Sequence, residues 1–178
     1  MDILVSSNLE RLLYHLAEEN SDEIVALMDA LKTEKRYTVS EKVFNATKEH
    51  FAAGCADDAR VADVIRTTFE QDGYLCDTHT AVAMAVYEDY RGQTGDTTPT
   101  VIASTANPYK FAPAILEALG DSRSDSPYEQ LAELYDKTCW KIPQPLASLR
   151  DKAVRFTDVC GNDKASMQST VYRMLNLD

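Results

Sequence analysis

Apolar residues recur at helical spacing through most of the chain. In SSNLERLLYHLAEE, Leu9, Leu12, Leu13 and Leu16 share one stripe, with Ser7 or Asn8 placed to cap it. Ser21 is set to cap DEIVALMDALKTE, whose first turn is acidic as the helix dipole favours. Ile24, Leu27, Met28 and Leu31 form its apolar side. SEKVFNATKEHFAA is predicted to run from Ser40 to a stop at Gly54, and ARVADVIRTTFEQDG from Asp57 or Asp58 to Gly73. THTAVAMAVYEDYRGQTG predicts a long helix, capped by Thr78 or Thr80 and ended by Gly92 and Gly95. The alanines and valines of its early turns predict close packing.

The pattern changes at a few places. MDILV and GYLCD are short extended runs, and TTPTVIAST, rich in β-branched residues, is the best strand. ANPYK is a turn, because a residue before proline is pushed away from helix; Pro108 then suits a helix start running to Gly120. DSRSDSP is a polar loop, and helices follow from Pro127, through LASLRDK, and in the tail after Asn162. No internal repeat or linker divides the chain. Short strands each followed by helices predict a helix-rich α/β fold, its strands parallel and flanked by helices. So few strands imply a sheet completed elsewhere.

The chain has 178 residues and 44% hydrophobic residues, enough for a core without metal or disulfides. Its net charge of -11 argues against nucleic acid and against an anionic membrane surface. MDILVSSNLERLL lacks the basic region and apolar run of a signal peptide, and no stretch approaches the ~18 apolar residues of a membrane span. A cytoplasmic location is expected. Cys55, Cys76, Cys139 and Cys160 form no CxxC pair and no zinc-like spacing, so they are expected to be reduced thiols rather than metal ligands. No glycine-rich phosphate loop is present.

Chemistry concentrates in VIASTANPYKF. An apolar run delivers Ser104 and Thr105 to its end, and ligands of open α/β sheets bind beyond the carboxyl ends of strands. Asp77 and His79 begin the long helix; they either line a site or serve as cap and local hydrogen-bond partner. Asn8 and Arg11, one turn apart, either hold an anionic substrate or pair with Glu10 or a partner domain. Lys110 fits a solvent-facing helix start, and His15 and His50 fit a solvated surface.

Several segments resemble threonine synthase. That family has a segment close to SATAHPAKF where Ala103 to Phe111 reads ASTANPYKF. It shows an SMDI stretch, a serine pair and NLERLLF where this chain begins MDILVSSNLERLLYHL, and a D-P-H-T-A motif where Asp77-Thr78-His79-Thr80-Ala81 stands. RFTDVCGND also sits where the family has a similar stretch. Asn107 replaces a common histidine and Thr78 a common proline.

The resemblance implies a C-terminal piece, 1–178, of a fold-type-II pyridoxal-phosphate enzyme. Residues 1–120 would be the cofactor-side α/β portion and 121–178 a helical portion. It implies conversion of O-phospho-L-homoserine and water to L-threonine and phosphate, the cofactor serving as electron sink. Thr105, with Ser104 beside it, matches the hydroxyl that faces the pyridine nitrogen. A hydroxyl donates to a neutral nitrogen, whereas a carboxylate pairs with a protonated one. A neutral nitrogen is the weaker sink, which suits protonation at the γ and α carbons over transamination. In the family the Schiff-base lysine and the phosphate-cradling loop precede the SMDI segment, and no lysine here sits in a matching motif. The expected partner is therefore an N-terminal lysine-bearing domain, without which the piece is expected to be inactive and to self-associate through an exposed apolar face. Two other readings are a free-standing helical binding or regulatory module and a piece of a related pyridoxal-phosphate dehydratase. SSNLERLL points away from the dehydratase.

Overall fold

The computed structural model describes residues 5–121 and 124–177. They form two compact units, Met1–Trp140 and Lys141–Asp178.

The first unit opens with α1 (Ser7–Leu16), α2 (Ser21–Glu34) and α3 (Glu41–His50), with α1 packed on both others. Their apolar stripes meet in a small core of Leu13, Ala17, Ile24 and Val43, flanked by Leu16, Leu27 and Met28. Each cap sits where the backbone turns extended just ahead of a free N–H. Ser6 accepts from the Leu9 amide, Asn20 from Glu23 and Ser40 from Val43. The first two caps lie a residue or more earlier than the predicted Ser7, Asn8 and Ser21. The predicted stop of α3 at Gly54 is also corrected. Phe51 already has extended backbone (φ -132°, ψ 139°), so the helix ends at His50.

A second helix group contains α4 (Asp58–Asp72), α5 (Thr78–Thr94), α6 (Ala112–Ala118) and α7 (Pro127–Thr138). In it α4 packs on α5 and α6, and α6 on α7. On α4, Val61, Val64, Ile65 and Thr68 follow i, i+3, i+4, i+7 spacing and are all buried. On α5 the buried positions are Thr80, Ala81 and Ala85. Such small side chains let the helix axes approach closely, as the alanine-rich turns predicted. Ile115, Leu116 and Leu134 are fully buried, and side chains of this size contribute ~1.5–3 kcal/mol each on burial. Gly73 and Gly95 end α4 and α5 with φ of 66° and 70°, a left-handed turn open to glycine without steric cost, whereas Gly92, also predicted to end α5, lies within the helix. The segment from Pro108 begins as a 3-10 turn, Pro108–Phe111, before α6.

The second unit holds α8 (Gln144–Ala147) and α9 (Lys164–Leu175). The former is earlier and shorter than LASLRDK predicted, and Asp163 rather than Asn162 caps the latter. No described residue of this unit is buried; Val154, Phe156, Val159 and Leu175 are each at least 60% exposed.

The predicted parallel strands are not formed: among the described residues the structure is helical. Residues 74–77 and 97–105 are irregular, and Val101 is 95% exposed. A strand exists only as one member of a hydrogen-bonded ladder, and β-branched residues supply the propensity but not the neighbour. MDILV lies outside the described residues except for Val5, which is irregular.

Candidate functional site

The second helix group brings part of the sequence-predicted site together at the start of α5. Asp77 caps that helix, as its capping reading expects and in place of Thr78 or Thr80, and is fully buried. Its Oδ1 accepts the backbone N–H of His79 at 2.9 Å and of Thr80 at 3.4 Å. Its Oδ2 accepts the Thr80 hydroxyl at 2.5 Å. The His79 Nδ1 lies 3.2 Å from Oδ1. The imidazole stacks obliquely on Phe111, with centroids 4.9 Å apart. Burial of Asp77 opposes ionisation, but hydrogen bonds from the Thr80 hydroxyl and from the backbone of His79 and Thr80 outweigh it. The carboxyl is thus held below the usual range and is a carboxylate at neutral pH. Burial pushes the neighbouring Cys76 thiol up to about 11, which makes it a small apolar residue rather than a nucleophile.

The loop ahead of Pro108 runs past this helix start. The Ser104 hydroxyl lies 3.2 Å from that of Thr80 and 3.4 Å from that of Tyr74. Thr105 is exposed. Behind the loop, Asn107 caps the 3-10 turn and the hydroxyl of buried Tyr109 donates to the Trp140 carbonyl. Trp140 in turn meets Tyr74 edge-on, with centroids 5.7 Å apart. Thr80 and Tyr74 were not among the sequence-predicted site residues. Thr80 lay in view within the Asp77–Ala81 motif, whereas nothing in sequence links Tyr74 to Ser104.

Other expected residues sit elsewhere. Arg11 donates to the Asn8 carbonyl on the exposed face of α1, in the other helix group. Lys110 is exposed, with its ammonium 5.8 Å from the centroid of the Phe111 ring. His15 faces Glu19 at 3.9 Å on the surface, and His50 is exposed, as expected. All four cysteines are free, and no His, Cys, Asp and Glu cluster suited to a metal occurs among the described residues. No described helix is long and apolar enough to cross a membrane. Two surface concavities, one lined by Asp121, Glu133, Asp136 and Lys137 and one by Lys152, Ala153 and Arg155, include none of the predicted site residues.

The family model described as threonine synthase, C-terminal, matches residues 80–171, more than half of the chain. The chain belongs to that family. The match begins at Thr80 and includes Ser104 and Thr105. Threonine synthase of Pseudomonas aeruginosa is 30% identical over 152 residues, covering 84% of this chain and 32% of that protein. Human threonine synthase-like 1 is 34% identical over 119 residues, covering 67% of this chain and 16% of that protein. Among solved structures, the crystal structure of PLP-bound threonine synthase from Brucella melitensis superimposes with a TM-score of 0.71 at 29% identity. That match covers 97% of this chain and 33% of the other. The chain therefore corresponds to a C-terminal part of threonine synthase, and spans about a third of the length of the Pseudomonas and Brucella proteins.

Proposed function

We propose that this chain supplies the pyridine-facing side of a pyridoxal-phosphate site. In that reading it works with a lysine-bearing N-terminal domain to convert O-phospho-L-homoserine and water to L-threonine and phosphate. Residues 1–120 are its cofactor-side portion and 121–178 its helical portion. The observation that carries the reading is the Ser104–Thr105 pair, presented on a loop held to the start of α5 inside the family match.

The donor set suits the group. The ring nitrogen of a pyridoxal phosphate kept neutral needs a hydroxyl donor and no carboxylate. The Asp77 carboxylate is buried and committed to the α5 cap, while Thr105 is exposed. When bound, the cofactor supplies an electron sink for carbanionic centres on the substrate. Thr105 donates to the ring nitrogen and keeps that sink weak. Ser104 fixes the loop carrying Thr105, and Asp77 and His79 form the polar floor beneath it. Asn8 and Arg11 are surface residues of α1 available to a partner domain.

The exposure of Val101 and the lack of a buried residue among those described in the second unit support a chain whose apolar surface is covered by that domain. The phosphate cradle and the anchoring lysine belong to the same domain, so the chain alone is inactive and self-associates, in a cytoplasmic setting. Mixed with pyridoxal phosphate and O-phosphohomoserine, the isolated chain is expected to release no phosphate and to develop no visible absorbance from lysine-bound cofactor. Either signal would contradict the division of labour. Reading the gene upstream of Met1 gives an independent check, because an open frame encoding the lysine domain is expected.

A further inference from the structure

Asp77 is held by more than a helix cap requires. The cap is the work of Oδ1, which takes the two backbone N–H groups. Oδ2 takes the Thr80 hydroxyl, and this contact has a direction. A carboxylate only accepts, and a hydroxyl has one proton to give. Thr80 has given its proton to Asp77, so it meets Ser104, 3.2 Å away, with a lone pair. Ser104 donates along that contact. Its remaining lone pairs accept from Tyr74, 3.4 Å away. The hydroxyls thus run one way, from Tyr74 through Ser104 and Thr80 to Asp77. Ser104 and Thr105, the next residue along the loop, are both exposed, so it is the bond to Thr80 that sets the Ser104 hydroxyl apart.

We propose that Asp77 is a positioning residue. Acting through Thr80, it holds the Ser104 end of the loop and commits the Ser104 proton inward, leaving Thr105 as the hydroxyl of the pair that donates outward to a ring nitrogen. The outward donation rests on the function proposed above; the relay from Asp77 to Ser104 does not.

The test is backbone order in the full 178-residue chain, measured by ¹⁵N relaxation. Thr80→Val removes the hydroxyl but leaves both N–H groups on Asp77, so it spares the cap. Order parameters at residues 103–106 are expected to fall from roughly 0.85 to below about 0.6, with α5 unchanged. Thr80→Ser restores the hydroxyl and is expected to restore the order, and Ser104→Ala is expected to reproduce the loss. The proposal is overturned if Thr80→Val leaves the loop ordered, if α5 loosens to the same extent, or if Thr80→Ser fails to rescue. None of these readouts depends on turnover, so an enzyme inactive towards O-phosphohomoserine would overturn the proposed function and not the relay.

Discussion

Thr105→Ala, placed in the enzyme that joins this chain to its lysine-bearing domain, is expected to lower phosphate release about a hundredfold, the usual loss when one preorganised donor to a reacting system is removed. The loss should fall on kcat, because a donor to the ring nitrogen tunes the cofactor and does not touch the substrate phosphate. Thr105→Ser keeps the proton and should retain most of the activity. The fold should not respond to either change. Thr105 is exposed, caps no helix and belongs to neither apolar core, so its replacement opens no cavity. Wild-type turnover in Thr105→Ala would refute the pyridine role, and a collapsed circular-dichroism spectrum would refute its independence from the fold.

Asp77→Ala is expected to destabilise the chain by about 3 kcal/mol, read as a lower urea midpoint at unchanged slope. The substitution leaves the His79 and Thr80 amides without their cap and the Thr80 hydroxyl without its acceptor, all at a fully buried position. Loss of a cap alone accounts for ~1 kcal/mol, and the buried unpaired donors account for the rest. The same carboxyl makes stability depend on pH. Its folded pKa is depressed, so the unfolded chain takes up the proton first as pH falls. The contribution of Asp77 is complete above the unfolded value of about 3.9 and is lost as pH drops below it, through the folded value. Asp96 and Asp163 are lowered in the same direction by bonds from Thr98 and Ser166, so acid destabilisation has several sources. Asp77→Asn, which keeps a cap oxygen, should flatten the decline below pH 4 in part. An unaltered profile would show that the buried carboxylate carries none of it.

How much of this was legible beforehand depended on how local the cause was. The start and stop of α4 and the Gly95 stop of α5 follow from residues within one turn. Asp57 accepts from Arg60, and Gly73 and Gly95 take the left-handed turn. The α1 stripe was readable in part for the same reason, with Leu13 in the core, Leu16 packed against it and Leu9 exposed, though Ser6 took the cap from two equally suitable neighbours. At Asp77 the motif held several capping side chains, and the deciding factor, complete burial of the acceptor, is set by packing of α5 on α4. The strand predicted over TTPTVIAST failed because propensity is local but pairing is not. Val101, with no neighbouring strand among the described residues, stays in solvent. Of the site, Ser104 and Asp77 were visible as residue types within motifs. Their connection through Thr80, and the contact of Ser104 with Tyr74 thirty residues away, arise only once the loop and the helix start share one place.

This chain is proposed to be the cofactor-tuning part of an enzyme that makes threonine. Product analysis tests it most directly. The chain joined to its lysine-bearing domain, loaded with pyridoxal phosphate and given O-phospho-L-homoserine, is expected to yield phosphate and L-threonine in equal amounts. A joined protein that releases no phosphate, or that instead turns threonine into a keto acid and ammonia as a dehydratase would, contradicts it.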